Sequence, residues 1–296
     1  MLQRFAEVIN GKAFRPDKAN SEATIAERFR GGAVVGFAFT QNRIKAVTIR
    51  FDGHGRPVHF SEPTSRILSD DIGQMQLFIE GYARKAKVEE AVALVSHGWI
   101  AELAGTNYEG PDVERNRLLR DDPREVIGAS PVEDMQYAVV GHPAHNKSVV
   151  FGCKKDAVTN ALDPLLRTNL TLCRVQIGCF SMLYYLATMR PNLKGKDLLL
   201  VDENGVLLLF EHEGDWTDLA FRSDGEAGIP ENVIPKMLGR RPEPHKPIAY
   251  ASTLDVDFEE RLRALVEPDT VLENLFGEAV PPGAAKNPEF LGLVLD

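Results

Sequence analysis

Few residues in this 296-residue chain have both the type and the spacing to do chemistry. His142 and His145, in GHPAHNK, could each offer a ring nitrogen to a metal. No carboxylate stands near them to complete a ligand set, and Pro143 and Asn146 make the segment a solvated turn. Ser96 and His97, in SHGW, put a hydroxyl beside an imidazole. No Gly-x-Ser-x-Gly elbow raises that serine for attack, so a strand end is the simpler reading. Cys153, Cys173 and Cys179 are odd in number and set among apolar residues, as small core side chains in a reducing compartment would be. Their spacing is not that of a zinc knuckle. Glu211, Glu213, Asp215 and Asp218 surround Trp216 at a hairpin turn. A solvated hairpin explains them, with a surface for a basic partner as the alternative. Phe180, Tyr184 and Tyr185 fall at helical spacing and read as core. There is no Walker motif, and no Gly-x-Gly-x-x-Gly follows a strand.

The elements that must position such residues need a sizeable core, and 44% apolar residues supply one, enough for two lobes. A net charge of −9, with basic runs only as long as Lys154-Lys155 and Arg240-Arg241, excludes a general nucleic-acid binder. The amino-terminal MLQRFAEVINGKAF lacks the charge, apolar run and cleavage site of a signal peptide. No run of about 18 apolar residues occurs, so no membrane span is expected. The reading is a soluble cytoplasmic protein that reaches a membrane only through a partner.

Residues 1–30 read as a helical arm, with Phe5, Ile25 and Phe29 packing on the first lobe. AVVGFAF and IKAVTIRF are β-rich runs, and Asp52-Gly53-His54-Gly55 is a turn into VHF. Ser69 is placed as the cap of a helix whose apolar face is Ile72, Met75, Ile79 and Tyr82. AVALVS is a buried strand. MQYAVVG, SVVFG and CRVQIG are further strands, and Lys154 to Leu166 and Phe180 to Met189 are helices. After Pro191 and Gly195 a second meander begins, LLLVD, GVLLLFEHEG and WTDLAF, followed by a helix and the strand PIAYAS. The same plan of three strands, a helix and a strand thus occurs near 33–95 and again near 198–252. A duplicated α/β plan predicts two lobes with a cleft between them.

That plan is the plan of the actin-like ATPase superfamily, which has a ribonuclease H-like fold. Several segments resemble its PilM-like type IV pilus assembly branch and the similarly built GspL cytoplasmic domain of type II secretion. In GFAFTQNRIKAVTIRF, Gly36, Lys45, Ala46 and Val47 sit where the PilM-like strand–turn–strand places them. VALVSHGWIAELAG resembles the strand entering a small inserted subdomain, and VERNRLLRDDPREVIGASPVEDMQYAVVG resembles that insertion. LLLVDENGVLLLF stands where the second phosphate turn belongs, and NPEFLGLVLD resembles the closing segment. The resemblance runs over roughly residues 33–296.

The resemblance implies a domain plan and a nucleotide site. It puts an N-terminal helical arm at 1–30 and a first lobe at 31–192, with the inserted subdomain near 99–143. A second lobe follows at 193–296, its C-terminal segment returning to the first. Two hairpin turns would hold phosphates. The first needs an Asp for Mg²⁺, and both need glycine so that backbone N–H groups can approach phosphate oxygens. Here Ala38 stands where the Asp belongs and Thr40 where the Gly belongs. In the second turn Asp202 is retained, but Glu203-Asn204-Gly205 follows in place of Gly-x-x-Thr. Glu203 adds a negative charge that opposes phosphate.

Lys45 and Asp202 are the candidate remnants of a nucleotide cleft; their plainer readings are a solvated strand-edge lysine and an ordinary turn aspartate. No catalytic residue and no metal ligand is assigned. No cofactor is expected, residual binding of ATP with Mg²⁺ being left open. The expectation is a pseudo-ATPase scaffold of a type IV pilus or type II secretion platform. It would be cytoplasmic and peripheral at the inner membrane, partnered by PilN-like or other inner-membrane platform proteins, with self-association allowed and no nucleic acid. The resemblance implies that the partner's peptide lies in a groove beside the inserted subdomain, with residues of 99–143 mediating subunit contacts. The alternative is a functional ATP-binding actin-like ATPase.

Overall fold

The computed structural model describes residues 24–67, 71–97, 101–105, 114, 117–118, 121, 135–141, 148–154, 156–189, 193–213, 215–223, 232–241, 245–254, 257–276 and 280–295. Expectations for Phe5, for most of 99–143 and for His142 and His145 lie outside the described residues. In chain order the first strands are β1 (Ala33–Phe39), β2 (Arg43–Phe51), β3 (Pro57–Phe60), β4 (Thr64–Ile67) and β5 (Glu90–Val95). Then come β6 (Ala101–Gly105), β7 (Met135–Gly141), β8 (Ser148–Lys154) and β9 (Thr171–Ile177). The last are β10 (Asp197–Val201), β11 (Gly205–His212), β12 (Asp215–Ser223), β13 (Ile248–Ser252) and β14 (Leu272–Asn274). The helices are α1 (Ile25–Arg28), α2 (Ile72–Ala86), α3 (Ala157–Leu166), α4 (Gly178–Met189), α5 (Ile234–Leu238) and α6 (Phe258–Leu265).

The chain divides into two compact, interleaved units, one spanning Met1–Ser96, Asp156–Met182 and Phe276–Asp296, the other His97–Lys155 and Leu183–Leu275. Along the chain the units exchange after Ser96, Lys155, Met182 and Leu275.

In the first unit the sheet order is β3-β2-β1-β5-β9, with β4 also on β2. β1 pairs antiparallel with β2, and β1, β5 and β9 run parallel. AVVGFAF is a continuous apolar run because β1 is central, so both its faces are covered. β4 lies on the outer edge, and all four of its residues are exposed. The cap of α2 is Asp71, not Ser69: its side chain accepts from the Gln74 N–H. Lys87, in the left-handed region at φ 58°, ends the helix. Met75, Ile79 and Ala83 fall at i, i+4 spacing and are buried, each large side chain contributing about 1.5–3 kcal/mol. Ile25 and Phe29 are buried as expected, and Phe29 stacks on Phe51 at 5.4 Å. The expected turn after β2 closes on Asp52, whose Oδ1 accepts from the His54 and Arg56 N–H groups.

The closing segment adds three short 3₁₀ turns, at Ala284–Lys286, Pro288–Phe290 and Gly292–Val294. Phe290 is fully buried and lies against Gly36, where a Cβ would be 2.6 Å from its ring. That approach is why β1 carries a glycine in mid-strand. Arg174 on β9 donates to the carbonyls of Leu293 and Leu295, holding the segment down.

The second unit repeats the strand plan in the order β12-β11-β10-β13-β14. β10, β11 and β12 form the antiparallel meander, and β10, β13 and β14 run parallel. Its core joins Leu199, Val201, Leu208 and Phe210 of the sheet to Ile234 and Met237 of α5 and Phe258 and Leu262 of α6. β6, β8 and β7 form a separate antiparallel sheet in this unit.

Glu211 is a correction. It is not part of a solvated acidic hairpin but 2% exposed, and it receives the Lys246 ammonium. The three cysteines are buried, as expected of core residues.

Candidate functional site

The two turns singled out by the sequence lie in different units, and each is built from the end of a buried strand. In the first, β1 ends at Phe39 and β2 begins at Arg43. The Thr40 N–H donates to the Arg43 carbonyl at 3.0 Å. The Thr40 hydroxyl donates to the same carbonyl at 3.3 Å and accepts from the N–H groups of Asn42 and Arg43, at 3.4 and 3.2 Å. One donor and two acceptor sites are all a hydroxyl has, so the turn is closed by its own threonine.

Across the ladder from Ala38, in direct register, is Lys45. The expected solvated strand-edge lysine is absent: Lys45 is 8% exposed. Its Nζ lies 2.7 Å from Glu289 Oε1 and donates to the Lys286 carbonyl at 3.0 Å. Glu289 is 3% exposed, and its Oε2 has no hydrogen-bond partner among the described residues. The pair is therefore a buried ion pair closed by the C-terminal segment.

The second turn joins β10 to β11. The Asp202 N–H donates to the Gly205 carbonyl at 3.0 Å, and Asp202 Oδ1 accepts from the Asn204 N–H at 2.9 Å. Asp202 is 4% exposed. Its other oxygen, Oδ2, lies 2.9 Å from Nδ1 of His97, which follows β5 and is fully buried. The two groups are close enough to attract, though neither ring nitrogen is aligned in a hydrogen bond among the described residues. Phe151 meets the imidazole edge-on with ring centroids 6.3 Å apart, and Phe221 lies at the same distance. Those two rings meet edge-to-face at 5.5 Å.

Lys45 is thus brought to a carboxylate of opposite sign, and Asp202 to an imidazole. Sequence reasoning missed both partners. His97 was considered only beside Ser96, although a histidine and an aspartate that each follow an unbroken apolar strand were legible as polar strand ends. Glu289 carries no such signal. An open groove of about 1320 Å³ was also missed. It opens at the other end of β1 from the Thr40 turn and is lined by Gly31, Arg50, Arg84, Lys87 and Glu90 among others.

Among the described residues no group of three or more His, Cys, Asp or Glu could hold a metal ion. The Cys173 thiol is pushed up to about 12, chiefly by burial. Burial, then the hydrogen bond to Glu259, raises the Tyr250 phenol as well.

No protein-family model matches the sequence, and no curated protein matches it. Solved structures do. A Bacteroides thetaiotaomicron protein described as having an actin-like ATPase fold and unknown function superposes with a TM-score of 0.50 at 8% identity, over 90% of this chain and 96% of that one. PilM in a PilM-PilN type IV pilus biogenesis complex gives a TM-score of 0.54 at 12% identity, over 88% and 97%. The fold is that of the actin-like ATPases. The cytoplasmic domain of EpsL, an inner-membrane component of the Vibrio cholerae type II secretion system, matches with a TM-score of 0.46 at 12% identity, over 76% and 84%. Identities this low establish the actin-like fold and leave activity to the residues of the site. Among the described residues no helix is long and apolar enough to cross a membrane.

Proposed function

We propose that this chain is a non-catalytic actin-like scaffold of a type IV pilus or type II secretion inner-membrane platform, working by holding a membrane-anchored partner. The observation that carries the reading is the first turn. Ala38 stands where the resemblance puts a magnesium-positioning aspartate, and the Thr40 hydroxyl takes the N–H groups of Asn42 and Arg43. Phosphoryl transfer depends on positioning by just such groups, so their loss removes turnover while leaving the fold able to bind proteins. The fold shared with PilM, whose solved complex contains PilN, supports a membrane-platform partner. On this reading the protein is cytoplasmic and peripheral at the inner membrane, it takes the partner's peptide in a groove beside the 99–143 insertion, and that insertion serves subunit contacts in self-association.

The test has two arms. Purified protein with Mg²⁺ and ATP should release phosphate no faster than a buffer blank. In its source cell, a tagged copy should fractionate with the inner membrane and cross-link to a single-span protein with a short cytoplasmic segment. Turnover abolished by Asp202→Asn would establish the ATPase alternative, and a chain found wholly away from the membrane would sink the platform reading.

A further inference from the structure

Lys45 and Asp202 are both buried, and each meets a side chain from a distant part of its own unit, a carboxylate for Lys45 and an imidazole for Asp202. We infer that Glu289 and His97 are built-in occupants of the two turns, the Glu289 carboxylate standing where Lys45 would take an anion and the His97 imidazole where Asp202 would take a cation. This rests on the scaffold reading and deepens it: the chain has exchanged a magnesium nucleotide for two internal pairs.

The physical reason is burial. A lysine or aspartate this far from water is strongly disfavoured unless something compensates it. In a nucleotide-dependent protein the ligand can do so; here the compensation is covalently part of the chain and always present. Glu289 is not a loosely placed side chain. Phe290 beside it is wedged against Gly36. Asn287 donates to the carbonyls of Gly283 and Ser61, and the Lys286 ammonium reaches both oxygens of Glu62 at 2.9 Å. A phosphate approaching Lys45 would have to displace this clasp or lie against a carboxylate whose second oxygen is already buried without a partner. At the other turn one Asp202 oxygen accepts from the Asn204 N–H and the other lies 2.9 Å from the imidazole nitrogen. Phe151 and Phe221 flank that imidazole, leaving an apolar surround where a hydrated cation would need water. The residues present do not fit a magnesium nucleotide at either turn.

The test is a thermal-shift titration of the full chain with inorganic phosphate, with Mg²⁺ alone and with Mg²⁺ plus ATP. The wild type should show no shift with any of them. Glu289→Gln should melt several degrees lower and recover part of that loss in phosphate, and the recovery should vanish in the Lys45→Gln, Glu289→Gln double variant. His97→Gln should gain a Mg²⁺-dependent shift that Asp202→Asn removes. Should Glu289→Gln fail to fold, Glu289→Asp keeps the charge but shortens its reach, and it too should gain a phosphate response. A wild-type shift with Mg²⁺ and ATP overturns the inference, as does either single variant that responds no more than wild type. Wild-type binding without hydrolysis would leave the scaffold reading standing. Loss of membrane fractionation would sink that reading and leave the two built-in occupants untouched.

Discussion

Asp197 at the start of β10 holds the Arg241 guanidinium 2.8 Å from its Oδ2, with side-chain exposures of only 3% and 4%. The pair is part of a buried chain of groups. Asp197 Oδ1 accepts from the Glu211 N–H at 3.0 Å, Glu211 receives the Lys246 ammonium, and the Lys246 carbonyl receives Arg241. This network ties β10 to β11 and to the segment that leads into β13.

Breaking it from one side should be worse than removing it. Asp197→Asn leaves a buried guanidinium without its charge partner and should cost about 3–5 kcal/mol in urea unfolding. Asp197→Leu combined with Arg241→Met should cost less than either single change. Additive losses would show that the two side chains do not act as a pair.

Gly36→Ala should destabilise by about 1–3 kcal/mol, since the new methyl would meet the Phe290 ring at 2.6 and 2.7 Å. Phe290→Leu in the same chain should return part of that loss by opening space. If Gly36→Ala alone leaves the denaturation midpoint unchanged, the C-terminal segment does not press on β1 as described.

Cys153, Cys173 and Cys179 should resist iodoacetamide at pH 8 in the native protein and react together once denatured. For Cys173 the sign is set by burial, which raises the thiol from 9.0 to about 12. Its contribution to stability is therefore full below pH 9.0 and is lost as pH rises through 9.0 towards about 12. Native-state labelling of Cys173 at pH 8 would contradict its placement.

Asp52 predicts an acid-side effect of opposite sense. The Arg56 and His54 N–H groups hold its carboxyl below the ordinary 3.8. Its contribution is present above that value and is lost as pH falls through the lowered one. Wild type should exceed Asp52→Ala in melting temperature at neutral pH, the gap closing in acid. A gap that does not change with pH would assign the turn's stability to its glycines instead.

Much of the fold was legible because it repeats. AVVGFAF and LLLVD are unbroken apolar runs, each followed by a second strand after a short turn, and runs of that kind demand a sheet covered on both faces. The α2 helix was legible from Met75 and Ile79, but its cap was placed at Ser69 rather than Asp71, because several adjacent small polar residues are equally good caps locally. The acidic hairpin was misread at Glu211, since nothing local distinguishes a glutamate that will meet Lys246 from one that will meet water.

By itself, then, the sequence determined the α/β class, the duplicated strand plan and which residue types stand in the two turns, Ala38 and Thr40 in the first and Asp202 and Glu203 in the second. Those properties depend on residues close together along the chain, where periodicity and side-chain type suffice. Only the tertiary structure decided what the charged residues do. Lys45 and Glu289 are 244 positions apart, and Asp202 meets His97 from the end of a different strand. A charge becomes buried or solvated according to what folds over it. For these residues that covering comes from chain segments whose partnership no local pattern records.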